Sequence, residues 1–186
     1  MTQSAKRSAL WAVALIGMGL TLAGCDRGAL LGAKDEASNL VAADPAETAM
    51  QTAVKEARET LPHILHQMKN PKDGQRSFTI KVALPTPEGS LEHIWVSELK
   101  RVDDTIIGNL SNEPFNLQGD LKKGDPVSFT RADVTDWGYL DGERLRGHFT
   151  TRYLATQMTP EEATEVLNMM HDTPLPRAPL RPRFAG

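Results

Sequence analysis

The chain is nearly devoid of cysteine. One thiol among 186 residues excludes an internal disulfide, and a structural zinc site would want several thiolates or close histidine pairs. Aromatic residues make up only 5%, too few for a platform that stacks single-stranded nucleic acid or for a wide carbohydrate cleft. Positive charge is not in excess either: the formal net charge is −3, so no basic field holds nucleic acid, and no nucleic-acid partner is expected. The longest apolar run, Ala9–Gly24, has 16 residues, short of the ~20 that a helix needs to cross a bilayer. Gly-rich phosphate loops and a Gly-x-Ser-x-Gly elbow are absent from the sequence. What is present, 40% hydrophobic and 24% charged residues, describes a globular domain of roughly 100–150 residues with appendages.

The first appendage is the amino terminus. Lys6 and Arg7 are the only charges before residue 26, and they precede the short apolar run, which is the layout of an export signal. The run ends in Leu22-Ala23-Gly24-Cys25, which resembles a bacterial lipobox. That resemblance implies cleavage between Gly24 and Cys25, diacylation of the Cys25 sulfur and acylation of the new amino terminus. Each acyl chain contributes about 0.8 kcal/mol per buried methylene, and more than one chain makes anchoring stable. Loss of residues 1–24 takes the formal charge from −3 to −5. Asp26 resembles the signal that retains lipoproteins in the inner membrane. The expectation is a protein anchored to a membrane by lipid on the periplasmic face of the cell envelope, the inner membrane favoured. Residues 25–43 lack sustained periodicity and read as a flexible tether.

An α+β domain is expected over residues 44–158. Asp44, Pro45 and Glu47 form a helix start, and Met50, Val54, Ala57, Leu61, Ile64, Leu65 and Met68 make one apolar stripe. Pro62 should kink that helix or split it, with Thr60 capping the second piece. From residue 77 the period changes to two. Phe78 to Leu84, Leu91 to Leu99, Thr105 to Leu110 and Val127 to Thr130 read as strands. Asp141-Gly142 marks a tight hairpin with positive φ at both positions, and its second strand is expected to run through His148, Phe149 and Thr151. Thr159, Pro160 and Glu162 start a short C-terminal helix over 159–172. Residues 173–186, with four prolines and three arginines and no acid, are expected to be extended or disordered. All aromatics after the leader except Phe184 fall between Phe78 and Tyr153. This points to a kinked helix packed on a strongly bent antiparallel sheet or small β-barrel.

Four fragments carry a further resemblance: Phe78-Thr79-Ile80-Lys81, Glu92-His93-Ile94-Trp95-Val96, Gly108-Asn109-Leu110-Ser111-Asn112-Glu113-Pro114 and Asp136-Trp137. Together with the Ala57-Arg58-Glu59-Thr60-Leu61 stretch of the preceding helix, they resemble the YegJ-like bacterial family, domain of unknown function 2314. The likeness spans about residues 48–155. It implies a fold and a bacterial setting but no activity, and it carries over no catalytic residue.

The same fragments supply the candidate ligand-binding residues Lys81, Glu92, Trp95, Asn112, Asp136 and Trp137. Alternation places Glu92 and Ile94 on one face of their strand, and His93 and Trp95 on the other. Lys81 could pair with Glu92 across strands, and Asp136 could close a turn by accepting backbone N–H groups. In the plainer reading Lys81 and Glu92 are an exposed pair worth ~0–1 kcal/mol and both tryptophans are core. His63 and His66, three apart on a helix, could share a metal ion, but no second shell to orient them is visible, so neither metal nor cofactor is expected. The favoured function is a non-catalytic binding module for a protein, peptide or cell-wall ligand. An immunity or inhibitor protein is one form of it, suggested by Asp103, Asp104, Asp120 and Asp125. The alternative is an envelope hydrolase using Glu92 and Asp136 as an acid–base pair, which requires the carboxylates ~5–9.5 Å apart across one cleft. The Pro/Arg tail offers a third role, docking to a partner or to anionic headgroups.

Overall fold

The structure, a computed structural model, describes residues 44–177. The expected signal peptide, Cys25, the expected tether and the residues beyond Arg177 lie outside the described residues. Helix α1 (Pro45–Lys69) is followed by strands β1 (Gln75–Pro85), β2 (Leu91–Val102), β3 (Thr105–Leu110), β4 (Pro126–Phe129), β5 (Val134–Asp141) and β6 (Arg144–Gly147). Helices α2 (Phe149–Ala155) and α3 (Pro160–Asn168) complete an α+β fold. The strands form one antiparallel sheet in the order β4-β3-β2-β1-β5-β6, and the sheet stays open rather than closing into a barrel.

Helix α1 begins as its sequence dictates: the Asp44 side chain accepts the Ala46 N–H at 2.9 Å, and Pro45 occupies the first turn. Its buried stripe is Ala53, Ala57, Leu61, Ile64 and Gln67. Pro62 does not split the helix. A proline lacks the N–H that would bond the carbonyl four residues earlier, here that of Arg58. The Arg131 guanidinium, from a short 3-10 turn before β5, donates to that orphaned oxygen at 2.9 Å. Thr60 caps no second helix; its hydroxyl bonds back to the Glu56 carbonyl at 2.6 Å.

The core fills the space between α1 and one face of the sheet. Ile80 and Val82 of β1, Ile94 and Val96 of β2, Leu110 of β3, and Trp137 and Tyr139 of β5 alternate onto that face and are almost wholly buried. Trp137 lies edge-on to Phe149 with ring centroids 5.4 Å apart, and its indole N–H donates to the Ala57 carbonyl at 3.0 Å. Truncating such a residue to alanine costs about 3–5 kcal/mol.

The chain departs from expectation between Asp141 and Thr151. Asp141 pairs with Arg144, so the tight turn is Gly142-Glu143, one residue later than anticipated, and only Gly142 of the two has positive φ. The following strand stops at Gly147. Gly147 and His148 take φ of 77° and 56°, which ends the extended backbone, and Phe149 and Thr151 enter α2 instead. Helix α3 starts with the anticipated capping box, Thr159 with Glu162. After it, residues 169–174 run beside β6. Leu145 N–H donates to Met169, His171 N–H to Leu145, and Gly147 N–H to Pro174. The start of the segment expected to be extended or disordered, Thr173 to Leu175, is pinned by Arg146, and the Leu175 side chain packs on the core.

Candidate functional site

The face of the sheet away from α1 collects the polar fragments. Cross-strand register sets Lys81 opposite Trp95 on one side and opposite Asp136 on the other. The Lys81 ammonium lies 5.8 Å from the centroid of the Trp95 ring, within cation–π range. Trp95 in turn packs on the His148 imidazole, ring centroids 5.0 Å apart. That imidazole occupies the space over Gly138, where a methyl group would overlap it. Asn112 reaches in from the loop after β3, its side-chain oxygen accepting the Trp95 N–H at 3.3 Å, while Ser111 N–H donates to the Trp95 carbonyl at 2.8 Å. His93 is exposed beside them, 3.2 Å from the Thr135 hydroxyl through Nδ1. Lys81, Trp95, Asn112 and His148 are half-buried.

Asp136 is wholly buried at the rim of this patch. Its Oδ1 accepts the N–H groups of Trp137 at 2.8 Å and Phe149 at 2.9 Å. Its Oδ2 accepts the Thr150 N–H at 2.9 Å and the Thr150 hydroxyl at 2.6 Å. Phe149 and Thr150 open α2, so Asp136 serves as that helix's N-terminal cap from 13 residues upstream of Phe149. The anticipated carboxylate closing a turn is here a carboxylate fixing the strand-to-helix junction.

Electrostatics follow from burial. Desolvation holds the Lys81 ammonium below its ordinary pKa, with Asp136 pulling the other way. Burial likewise lowers His148, against Asp136, and lowers His93, with Lys81 and Arg58 adding to the effect. The patch therefore offers an indole, two imidazoles biased toward the neutral form, a single ammonium and an amide.

Two of the anticipated residues are elsewhere. Glu92 pairs with Leu84 on the core-facing side of the sheet, where its oxygens accept the Phe115 and Asn116 N–H groups at 2.7 Å each. It makes no pair with Lys81, which faces the opposite side. Trp137 is core and offers no surface to a ligand. Glu92 and Asp136 thus stand on opposite faces of the sheet, each closed on backbone N–H groups, and share no cleft as acid and base. The His63 ring lies tilted beside Trp137, centroids 5.7 Å apart, and meets the Tyr139 hydroxyl at 3.1 Å, while His66 is exposed. Among the described residues no three His, Cys, Asp or Glu side chains converge as metal ligands. Sequence reasoning did not single out His148 and Gly138 for this patch. The signal for His148 was the Gly147-His148 pair, a glycine followed by a residue that tolerates the left-handed region.

A family model described as "Uncharacterized protein conserved in bacteria (DUF2314)" matches residues 47–170. The chain is 28% identical over 135 residues to the "Uncharacterized protein YegJ" of Escherichia coli (strain K12), covering 73% of this chain and 86% of that one. It is also 34% identical over 74 residues to a "Putative ankyrin repeat protein" of Neisseria meningitidis serogroup B, covering 40% of this chain and 29% of that one. No solved structure matches.

Proposed function

The chain belongs to the DUF2314 family of uncharacterised proteins conserved in bacteria, and from that premise we propose that it is a non-catalytic binding module of the cell envelope. A lipid on Cys25 holds it to the membrane, and the Trp95 face recognises a segment of a protein or peptide partner. The supporting observation is the half-buried indole of Trp95, framed by Lys81, His148 and Asn112 on a face that α1 does not cover. Tryptophan in such a setting supplies contact area at little conformational cost, which is why it recurs at the centres of interfaces. The engagement of both candidate carboxylates with backbone N–H groups also favours binding over hydrolysis.

The test places a photoreactive amino acid at exposed His93 and, as a comparison, at exposed Glu56 on α1. Irradiation of intact cells should give a discrete adduct from position 93 alone, lost when Trp95→Ala is added. The same adducts from both positions, or an adduct indifferent to Trp95→Ala, would refute recognition through this face.

A further inference from the structure

On the margin of the sheet, remote in sequence from the Trp95 fragments, lies a cleft of about 250 Å³ lined by Arg144, Arg146, His171, Asp172, Thr173 and Arg177. Its construction follows from strand periodicity. Arg144 and Arg146 are two apart on β6 and share one side of that strand. His171 and Thr173 are two apart on the segment that runs parallel to β6, where Leu145 bridges Met170. Leu145 and Met170 turn to the other side, into a small apolar cluster with Ala155 and Val166. The polar residues of both segments are left facing together.

Arg146 is fixed in place. Its Nε donates to Asp141 Oδ2 at 3.0 Å, and its Nη1 donates to the carbonyls of Thr173 at 3.1 Å and Leu175 at 3.4 Å. Among the described residues its Nη2 has no acceptor, and neither Arg144 nor Arg177 has a side-chain partner. Three guanidiniums face two carboxylates, and one of those, Asp141, is already closed on Arg146 and near His171 at 3.7 Å. This concentration of guanidiniums is set in a chain whose formal charge is −3. Guanidinium forks match the oxygens of phosphate in a way that solvated surface charge does not. The volume is below the ~300–1,000 Å³ typical of pockets for drug-sized molecules, which suits a small oxyanion.

We propose that this cleft binds a phosphate group, with Arg144 and Arg177 closing on an anion seated against the fixed Arg146. The chemistry is common to free phosphate and to the phosphodiester of a lipid headgroup, and the experiment separates the two. The chain from residue 25 onward with Cys25→Ser, which carries no acyl group to enter a bilayer on its own, is titrated calorimetrically with inorganic phosphate and with glycerol phosphate. In parallel it is cosedimented with vesicles of phosphatidylcholine alone and of phosphatidylcholine with phosphatidylglycerol. Saturable binding of the soluble anions, weakened at least about tenfold by Arg144→Ala with Arg177→Ala and unchanged by Arg101→Ala, supports the site and identifies a soluble ligand. An increase in sedimentation specific to phosphatidylglycerol, lost in the same double variant, supports the site and identifies a headgroup. Absence of both, or binding that the double variant retains, overturns the proposal. Arg144 and Arg177 are both exposed, so the double variant spares the Arg146 staple and the fold.

Discussion

Replacing Asp136 by asparagine should cost the protein much of its stability, and the amount can be worked from the four bonds it receives. Trp137 and Phe149 amides end on Oδ1; the Thr150 amide and hydroxyl end on Oδ2. Asparagine keeps one oxygen and sets an NH₂ group against the other two donors, so the Thr150 amide loses its partner inside a wholly buried site. Hydrogen bonds to charged groups contribute about 1.5–3 kcal/mol each, so two lost bonds amount to about 3–6 kcal/mol. The Thr150 hydroxyl can turn to accept from the new NH₂, which favours the lower end. At about 4 °C per kcal/mol for a domain of this size, Tm should fall by at least about 10 °C. Glu92→Gln is the comparison. It also loses one oxygen, but only the single amide bond of an exposed loop residue ends there, and a net cost of about 1 kcal/mol is expected. Thermal melting of the three chains by circular dichroism decides the matter. An Asp136→Asn chain melting within a few degrees of the parent, or above it, would refute the capping role. It would also revive the idea of a carboxylate held at a cost to stability for the sake of chemistry.

Further expectations follow from the same geometry. Gly138→Ala should push the His148 ring off Trp95, lowering stability by about 1–3 kcal/mol and shifting the tryptophan fluorescence; an unchanged spectrum would contradict the contact. Arg131→Ala should destabilise by about 1 kcal/mol in the parent but by less in a Pro62→Ala background, where the new alanine supplies the amide that the Arg58 carbonyl lacks; additive effects in the double-mutant cycle would refute the link. His63, His93 and His148 are all held below the ordinary 6.5 by burial, so between their folded values and 6.5 the unfolded chain binds more protons and stability rises with pH. Melting temperature should therefore drop on acidification below neutral, and His148→Asn should flatten that slope; an identical slope would exclude His148 as a contributor. Metabolic labelling with a clickable fatty acid should mark the chain and fail on Cys25→Ser, and no label on the parent would remove the proposed anchor.

Local patterns in the sequence are enough to place α1, the alternating strands and the start of α3, because each rests on contacts within a few residues. Helix α2 is hidden for the opposite reason. Its cap, Asp136, stands 13 positions before Phe149 and 14 before Thr150, and no window of neighbouring residues contains both sets of partners. The two tryptophans illustrate the same divide. Both Trp95 and Trp137 lie in strands, yet register pairs Trp137 with Ile80 in the core and Trp95 with Lys81 outside it. Register also separates Glu92 from Lys81, since a shift by one residue exchanges the faces of a strand. Pro62 announces the loss of one helix bond; what the sequence does not display is Arg131, 73 residues from Arg58, filling the gap.

The margins of the sheet bear on how copies of this protein tolerate one another. At one end β4 is four residues long and opens with Pro126, which has no N–H to give. At the other, the chain after α3 already occupies the hydrogen-bonding side of β6. On the membrane proposed above, copies would meet edge to edge far more often than in solution, and exposed strands in that setting are templates for runaway zippering. With both borders blunted, lateral neighbours gain nothing by annealing, and association is steered toward side-chain chemistry on the broad surface instead.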